Sequence, residues 1–254
     1  MNIDNLLQRI EKTPSSRVIG EVGSKKEKYP LYKLKHGTGK KVLLSGVLHG
    51  DEVSGVHSIL KFFNGKIKEY ENDFEFTAFP IVNPWGYVHQ SRRNAYKLNI
   101  NREFKRDSNC EETKLIMPEL EQYIFSMDFH EDFDAPSEGT DEPQGKAPSE
   151  FYLWEVCRQK PLRIGKKIIK NLEEEGISVC KWPKIYGDKN DGGVISYPEN
   201  CGTSCYASDS IFESYLEKYH TPLSFTIETI QSSPLSLRVK ADLISLKTVL
   251  DARR

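Results

Sequence analysis

The chain lacks any stretch approaching the roughly 18 uninterrupted apolar residues of a membrane span. Its first eleven residues read as a short amphipathic helix rather than a signal peptide. Charge of neither sign prevails: 36 basic residues stand against 37 acidic ones, for a net charge of −1. A protein whose main business is binding polyanions through a long-range positive field is thereby disfavoured. Cysteine is scarce and odd in number, at Cys110, Cys157, Cys180, Cys201 and Cys205. That excludes a secreted disulfide scaffold and predicts buried or free thiols, with pairing of Cys201 and Cys205 left open. Internal repeats and a convincing linker are missing too, so residues 1–254 are expected to form one domain. A chain of this size buries about 70–75 % of its unfolded surface and needs no covalent staples. These absences together predict a soluble, cytoplasmic protein with no nucleic-acid or membrane partner.

What is present is apolar periodicity that switches repeatedly between strand and helix, the pattern of a layered α/β domain. A strand over 42–48 gives way, after His49 and Gly50, to helical spacing at Val53, Val56, Ile59, Leu60 and Phe63. Further strands are predicted over 74–82, stopped by Asn83-Pro84 and Gly86, and over 125–129, ending at His130. Helices are expected over 162–175, 210–219 and 235–250, with a strand over 223–227. Residues 136–150 carry three prolines and two glycines among mostly polar neighbours, which predicts a mobile surface loop placed to act as a lid.

The sharpest local signal is His49-Gly50-Asp51-Glu52, at the end of a predicted strand, where open α/β sheets bind ligands. A histidine and a glutamate three positions apart across such a turn can face one ion, and N/O ligands suit zinc. The alternative is that the acids only favour the helix N-terminus. His130 closes a second strand and would complete a two-histidine, one-carboxylate set, with Asp128 two residues earlier on the same face. Asn101-Arg102 is the donor pair that a carboxylate-bearing substrate requires. Glu228 terminates an apolar strand pattern, where an acid costs stability unless it is paired or working, and is a candidate general base.

The set resembles the zinc metallocarboxypeptidases of the carboxypeptidase A type. The matching residues are His49-x-x-Glu52, Asn83-Pro84-x-Gly86, Arg92-x-Asn94 leading to Asn101-Arg102-x-Phe104, His130, and Phe225-Thr226-Ile227-Glu228, all in the family's order. The resemblance implies a mixed, mainly eight-stranded sheet between helix layers, with one zinc ion at the carboxyl edge of the central strands. It implies that His49, Glu52 and His130 ligate the zinc and that Glu228 serves as general base. Either Arg92 or its neighbour Arg93 would stabilise the oxyanion, Arg92 being the closer counterpart. Asn101 and Arg102 would grip the substrate's terminal carboxylate, and Tyr206 would close over it. Glu213 falls where the family sets specificity. A buried acid there implies a substrate ending in lysine, arginine or the amino end of diaminopimelate, as in a murein peptide.

Three departures from the family pattern stand out. Asn99 replaces the acid that orients a zinc histidine, the interval from Glu52 to His130 is short as in compact bacterial-type members, and no pro-segment is visible. The expected partner is a short peptide or an N-acyl amino acid with a free carboxylate. Two other functions fit the same residues: an N-acyl amino acid deacylase of the aspartoacylase and succinylglutamate desuccinylase type, and an inactive zinc-containing binding module. The oligomeric state is left open.

Overall fold

Short apolar runs bounded by turn residues sort this chain into strands, the central ones buried on both faces. The computed structural model describes residues 3–133, 148–198 and 210–254. In chain order it contains α1 (Ile3–Glu11), β1 (Ser16–Gly23), β2 (Lys28–Gly37), β3 (Lys40–Gly46), α2 (Ser54–Phe63), β4 (Phe74–Phe79), α3 (Pro84–His89), α4 (Glu111–Ile116) and β5 (Phe125–Asp132). There follow β6 (Tyr152–Val156), α5 (Gly165–Glu174), β7 (Lys184–Ile185), β8 (Asp188–Lys189), β9 (Val194–Tyr197), α6 (Phe212–Tyr219), β10 (Ser224–Ile230) and α7 (Leu235–Arg253).

Eight strands form one mixed sheet in the order β1-β2-β4-β3-β5-β10-β6-β9, and β7 with β8 makes a separate two-stranded ribbon. The centre is parallel: β3 pairs with both β4 and β5, and β5 pairs with β10. From β3 the chain goes to β4 on one side and later returns to β5 on the other. The carboxyl ends of β3 and β5 therefore flank a topological switch point, the crevice where doubly wound sheets bind ligands.

On one face, Val42, Leu44, Phe125, Met127, Phe129, Phe225 and Ile227 join α2, α5 and α7 in the main core. Each large side chain removed from water there contributes about 1.5–3 kcal/mol. On the opposite face Leu43 and Phe79 pack with Phe104, Phe212 and Leu216 beneath α6. Beyond them Tyr152, Trp154 and Ile185 form a smaller aromatic-rich cluster. Helices thus cover both faces, and the fold is the mixed eight-stranded α/β architecture expected.

Several boundaries differ from the sequence reading. The first parallel strand ends at Gly46, because Val47 adopts a left-handed φ of 53° that turns the chain out of the sheet. The strand carrying His130 runs on to Asp132, so His130 lies inside it rather than at its end. Its pairing with β10 continues through Asp132, which sustains the extended backbone. The helix expected from 162 starts at Gly165 after a 3-10 turn. The edge hairpin β1–β2, polar on alternate positions and partly exposed, carries too little apolar signal to be assigned from sequence. Of the loop 136–150 only 148–150 lie among the described residues. Among the described residues, no helix is long and apolar enough to cross a membrane. Cys110, Cys157 and Cys180 are buried free thiols, while Cys201 and Cys205 fall outside the described residues.

Candidate metal centre

The loop after β3 works because two glycines let two loops touch. A Cβ on Gly50 would stand 2.1 Å from the backbone carbon of Gly86, so neither side chain nor backbone could stay in place. Gly86 itself lies in a turn where Asn83 Oδ1 accepts the Gly86 N–H at 2.8 Å. The Gly50 N–H donates to Ser91 O at 3.1 Å, which brings Ser91-Arg92 beside the loop that carries Glu52. Arg92 Nη1 then donates to Glu52 Oε1 at 2.7 Å, while Arg93 Nη1 turns away to Lys97 O at 3.0 Å. Arg92 thus contacts the carboxylate of a candidate ligand, and Arg93 contacts the backbone of its own loop. Asn94 shapes the intervening loop: its Oδ1 accepts the N–H groups of Tyr96 and Leu98, and its Nδ2 donates to buried Glu112.

β5 supplies the other half by simple alternation. Ser126, Asp128, His130 and Asp132 share the face opposite Phe129 and Glu131. Register places Glu228 of β10 beside His130, and Tyr152 of β6 beside Glu228, in one row at the cleft.

His49, Glu52 and His130 converge, buried, with one candidate ligand atom from each lying within 4.8 Å of the others. The hydrogen bonds fix how the rings are turned. Asn99 Oδ1 already accepts the Asn101 N–H at 3.1 Å, so it is the acceptor for His49 Nε2, also at 3.1 Å. Asp128 Oδ1 accepts from Ser45 Oγ at 2.7 Å, and its Oδ2 accepts from His130 Nε2 at 2.8 Å. Each ring therefore presents Nδ1 to the Glu52 carboxylate, at 2.7 Å from His49 and 2.6 Å from His130. Two imidazole lone pairs aimed at a carboxylate repel unless a proton or a cation lies among them. Two histidines and one carboxylate, oriented through their outer nitrogens, match the donor set and the supporting contacts of a zinc site with an open position.

Titration tells the same story. Burial pushes His49 down to about 4, with Arg92 acting in the same direction. Against burial, Asp128 and Glu52 hold His130 well above its usual value. Glu52 is held well below the carboxylate range by His49 and His130, although burial opposes them. Glu228 is pushed well above it by burial and by the neighbouring charges of Glu52 and Asp132. Burial likewise raises Asp132, to about 6, even though the Tyr152 and Tyr186 hydroxyls donate to its carboxylate. Glu52, Asp128, Asp132 and Glu228 thus gather four carboxyl groups around the two imidazoles and Arg92, a donor-rich pocket that suits a divalent cation.

Asn101 is buried in a 3-10 turn (Ile100–Arg102), and its Oδ1 accepts the Phe212 N–H at 3.0 Å. The next residue, Glu213, is 1 % exposed in the first turn of α6, so the expected specificity acid follows directly the residue whose backbone N–H bonds Asn101. Tyr206 lies outside the described residues. Sequence reasoning missed Ser45, Glu131, Asp132, Tyr152, Tyr186 and Arg238. A period-2 reading of Asp128-Phe129-His130-Glu131-Asp132 would have marked Asp132 as facing the site and Glu131 as facing the helices.

Comparison with known proteins bears on the fold and on the segment that carries these residues. Residues 38–135, less than half of the chain, match the succinylglutamate desuccinylase/aspartoacylase catalytic domain. A sequence search of curated proteins finds no match. Among solved structures, a Shewanella amazonensis protein provisionally described as a metallopeptidase superposes with a TM-score of 0.76 at 20 % identity, over 98 % of this chain and 91 % of that one. A metallo-carboxypeptidase from Burkholderia cenocepacia gives a TM-score of 0.65 at 18 % identity, over 98 % of this chain and 67 % of that one. A metallo-carboxypeptidase from Pseudomonas aeruginosa, in complex with (2-guanidinoethylmercapto)succinic acid, gives 0.68 at 13 % identity, over 99 % and 69 %. The chain therefore has the metallocarboxypeptidase fold and resembles the desuccinylase/aspartoacylase domain over the segment that holds all three candidate ligands.

Proposed function

We propose that this protein is a zinc-dependent carboxypeptidase that releases the last residue of a short peptide, with preference for a basic or diaminopimelate-type terminus. The observation that carries the reading is the pairing of the His49, Glu52 and His130 cluster with Glu228, one strand away in register with His130. His49, Glu52 and His130 would hold a zinc ion, which when bound would supply Lewis acidity and lower the pKa of a water towards about 7.

The chain's own residues do the rest. Glu228 is the general base: a carboxylate oxygen takes the proton of the attacking water and hands it to the departing amine nitrogen. Arg92 directs a guanidinium at the oxygen that gains charge, an interaction worth about 3–4 kcal/mol when one donor of this kind is removed. Because the Phe212 N–H occupies Asn101 Oδ1, the amide offers its Nδ2 as a donor, alongside Arg102, to the substrate's carboxylate. That grip selects the last amide bond for attack. The buried Glu213 acid complements a cationic terminal side chain. The ligand of the Pseudomonas aeruginosa structure, which joins a guanidino group to two carboxylates, has the charge pattern that Glu213 with Asn101 and Arg102 would accept. Tyr206 is assigned to closing over the substrate, and the cytoplasm is the proposed location.

A second reading is favoured by the match of residues 38–135 to the desuccinylase/aspartoacylase domain: hydrolysis of an N-acyl amino acid by the same residues. Assay of the zinc-loaded protein on free-carboxyl peptides and on N-acyl amino acids, with Glu228→Gln as control, separates the two. Release of C-terminal residues, basic ones fastest, is expected. Release of acyl groups alone would move the assignment to the second reading, and silence on both panels would leave a zinc-containing binding module.

A further inference from the structure

The residues that follow two of the candidate ligands bind each other. After Glu52, the backbone enters α2 at Val53, and nothing local caps that helix: the Val53 side chain makes no cap bond and the first turn contains no acid. The first N–H groups of a helix have no partner within it and need one elsewhere. Here it comes from the strand beneath. Glu131, next to His130 but on the opposite face of β5, accepts the Ser54 N–H on Oε1 at 2.7 Å and the Val53 N–H on Oε2 at 3.1 Å. Its own backbone N–H donates in return to Glu52 Oε2 at 3.2 Å.

This reciprocal arrangement is buried and held from outside. The Glu131 side chain is 1 % exposed, and Arg238 of α7 donates from Nη1 to its Oε1. The guanidinium is anchored in turn by Nε donating to Ser233 O at 3.0 Å.

We infer that Glu131, clamped by Arg238, is a positioning residue that locks the Glu52 loop to the His130 strand at the separation a metal ion requires. The inference rests on the metal-centre reading above. It assigns Glu131 no contact with substrate: the side chain acts through the amides of Val53 and Ser54, and the backbone N–H acts on the Glu52 carboxylate. With the lock in place the ligand carboxylate is fixed before the ion arrives. Without it, the end of α2 can slide relative to β5 while both elements stay folded. Supporting contacts of this kind around ligands change metal affinity by about 10–100-fold.

The test compares wild type, Glu131→Gln and Arg238→Lys for zinc affinity by chelator competition and for the visible spectrum of the cobalt-substituted protein. Glutamine keeps one acceptor but turns an NH2 group towards an amide or guanidinium donor. Lysine keeps the charge but loses the planar fork. The expected result is a 10–100-fold loss of zinc affinity and shifted cobalt bands for Glu131→Gln, with a smaller change in the same direction for Arg238→Lys. A purely structural role would lower the melting temperature yet leave the affinity and cobalt bands of the folded protein at wild-type values, and that result overturns the inference. Should Glu131→Gln fail to fold, Arg238→Lys decides by the same two readouts. Wild type that binds neither metal would overturn the metal centre itself, a distinct outcome from variants that bind as wild type does.

Discussion

The two halves of the candidate metal centre are built by different means. On β5, His130 and its supporting Asp128 are two residues apart on one strand, and the pleat alone points both the same way. On the loop after β3, His49 and Glu52 owe their places to contacts from four other segments. These are the Gly50–Gly86 approach, Asn99, Arg92 and the Glu131 carboxylate under α2. The regular half needs only register; the irregular half needs its neighbours. Damage far from the ions' expected position should therefore harm the loop half more than the strand half.

The largest effect expected is on catalysis without loss of the centre. Glu228→Gln should lower kcat by about 10²–10⁴-fold. Zinc stoichiometry should stay that of wild type, because Glu228 is not among the converging ligands. Steady-state kinetics with metal analysis check both halves of that statement, and loss of zinc in this variant would make Glu228 part of the centre.

Next in size is Gly50→Ala. The added methyl meets backbone rather than a yielding side chain, so the cost should exceed the about 1–3 kcal/mol usual for overpacking. The Arg92 segment should shift and zinc affinity should fall. Urea denaturation and zinc competition measure this, and a variant as stable as wild type would show that the two loops do not need their close approach.

Exchanging the character of the two outer partners probes the halves against each other. Asp128→Asn should weaken zinc binding by about 10-fold, since His130 loses a charged acceptor. Asn99→Asp should strengthen it by a smaller factor by making the acceptor of His49 a charged one. Equal and opposite changes would mean that the halves contribute alike, and no change in either would sink the role given to these partners.

The smallest effect concerns stability alone. Asp242 of α7 is fully buried against Ser58, whose Oγ donates to it at 2.6 Å, and burial pushes its carboxyl from 3.8 up to about 7. An acid whose folded pKa is raised is protonated preferentially in the native state, so stability is lost as pH rises from about 4 through about 7. Asp242→Asn should remove this loss and stabilise the protein by about 1–3 kcal/mol at pH 8, with little change at pH 4. Thermal melts at the two pH values measure it. A variant less stable than wild type at pH 8 would show that the carboxylate is matched to its site.

The same contrast explains what the sequence could and could not disclose. Strand and helix periods exposed β3, β5, β10, α2 and α7; His49, Glu52 and His130 stood out by ligand type and by their position at predicted strand ends, and Glu228 as an acid costly to bury without a purpose. Gly50 and Gly86 were legible as turn formers, but their contact across 36 positions of chain was not. Glu131 and Arg238 are 107 residues apart, and no local pattern marks a carboxylate that caps a helix from another element. Arg92 and Arg93 are chemically identical in sequence, and only the Ser91 turn sends one to Glu52 and the other to Lys97.

The measurement that bears most directly on the account is a crystal structure of the zinc-loaded protein with anomalous data at the zinc edge. The account predicts one peak, coordinated by Nδ1 of His49, Nδ1 of His130 and the Glu52 carboxylate, with both Nε2 atoms still donating to Asn99 and Asp128. Zinc bound through Nε2, or bound elsewhere with this cluster closed on itself, would contradict it.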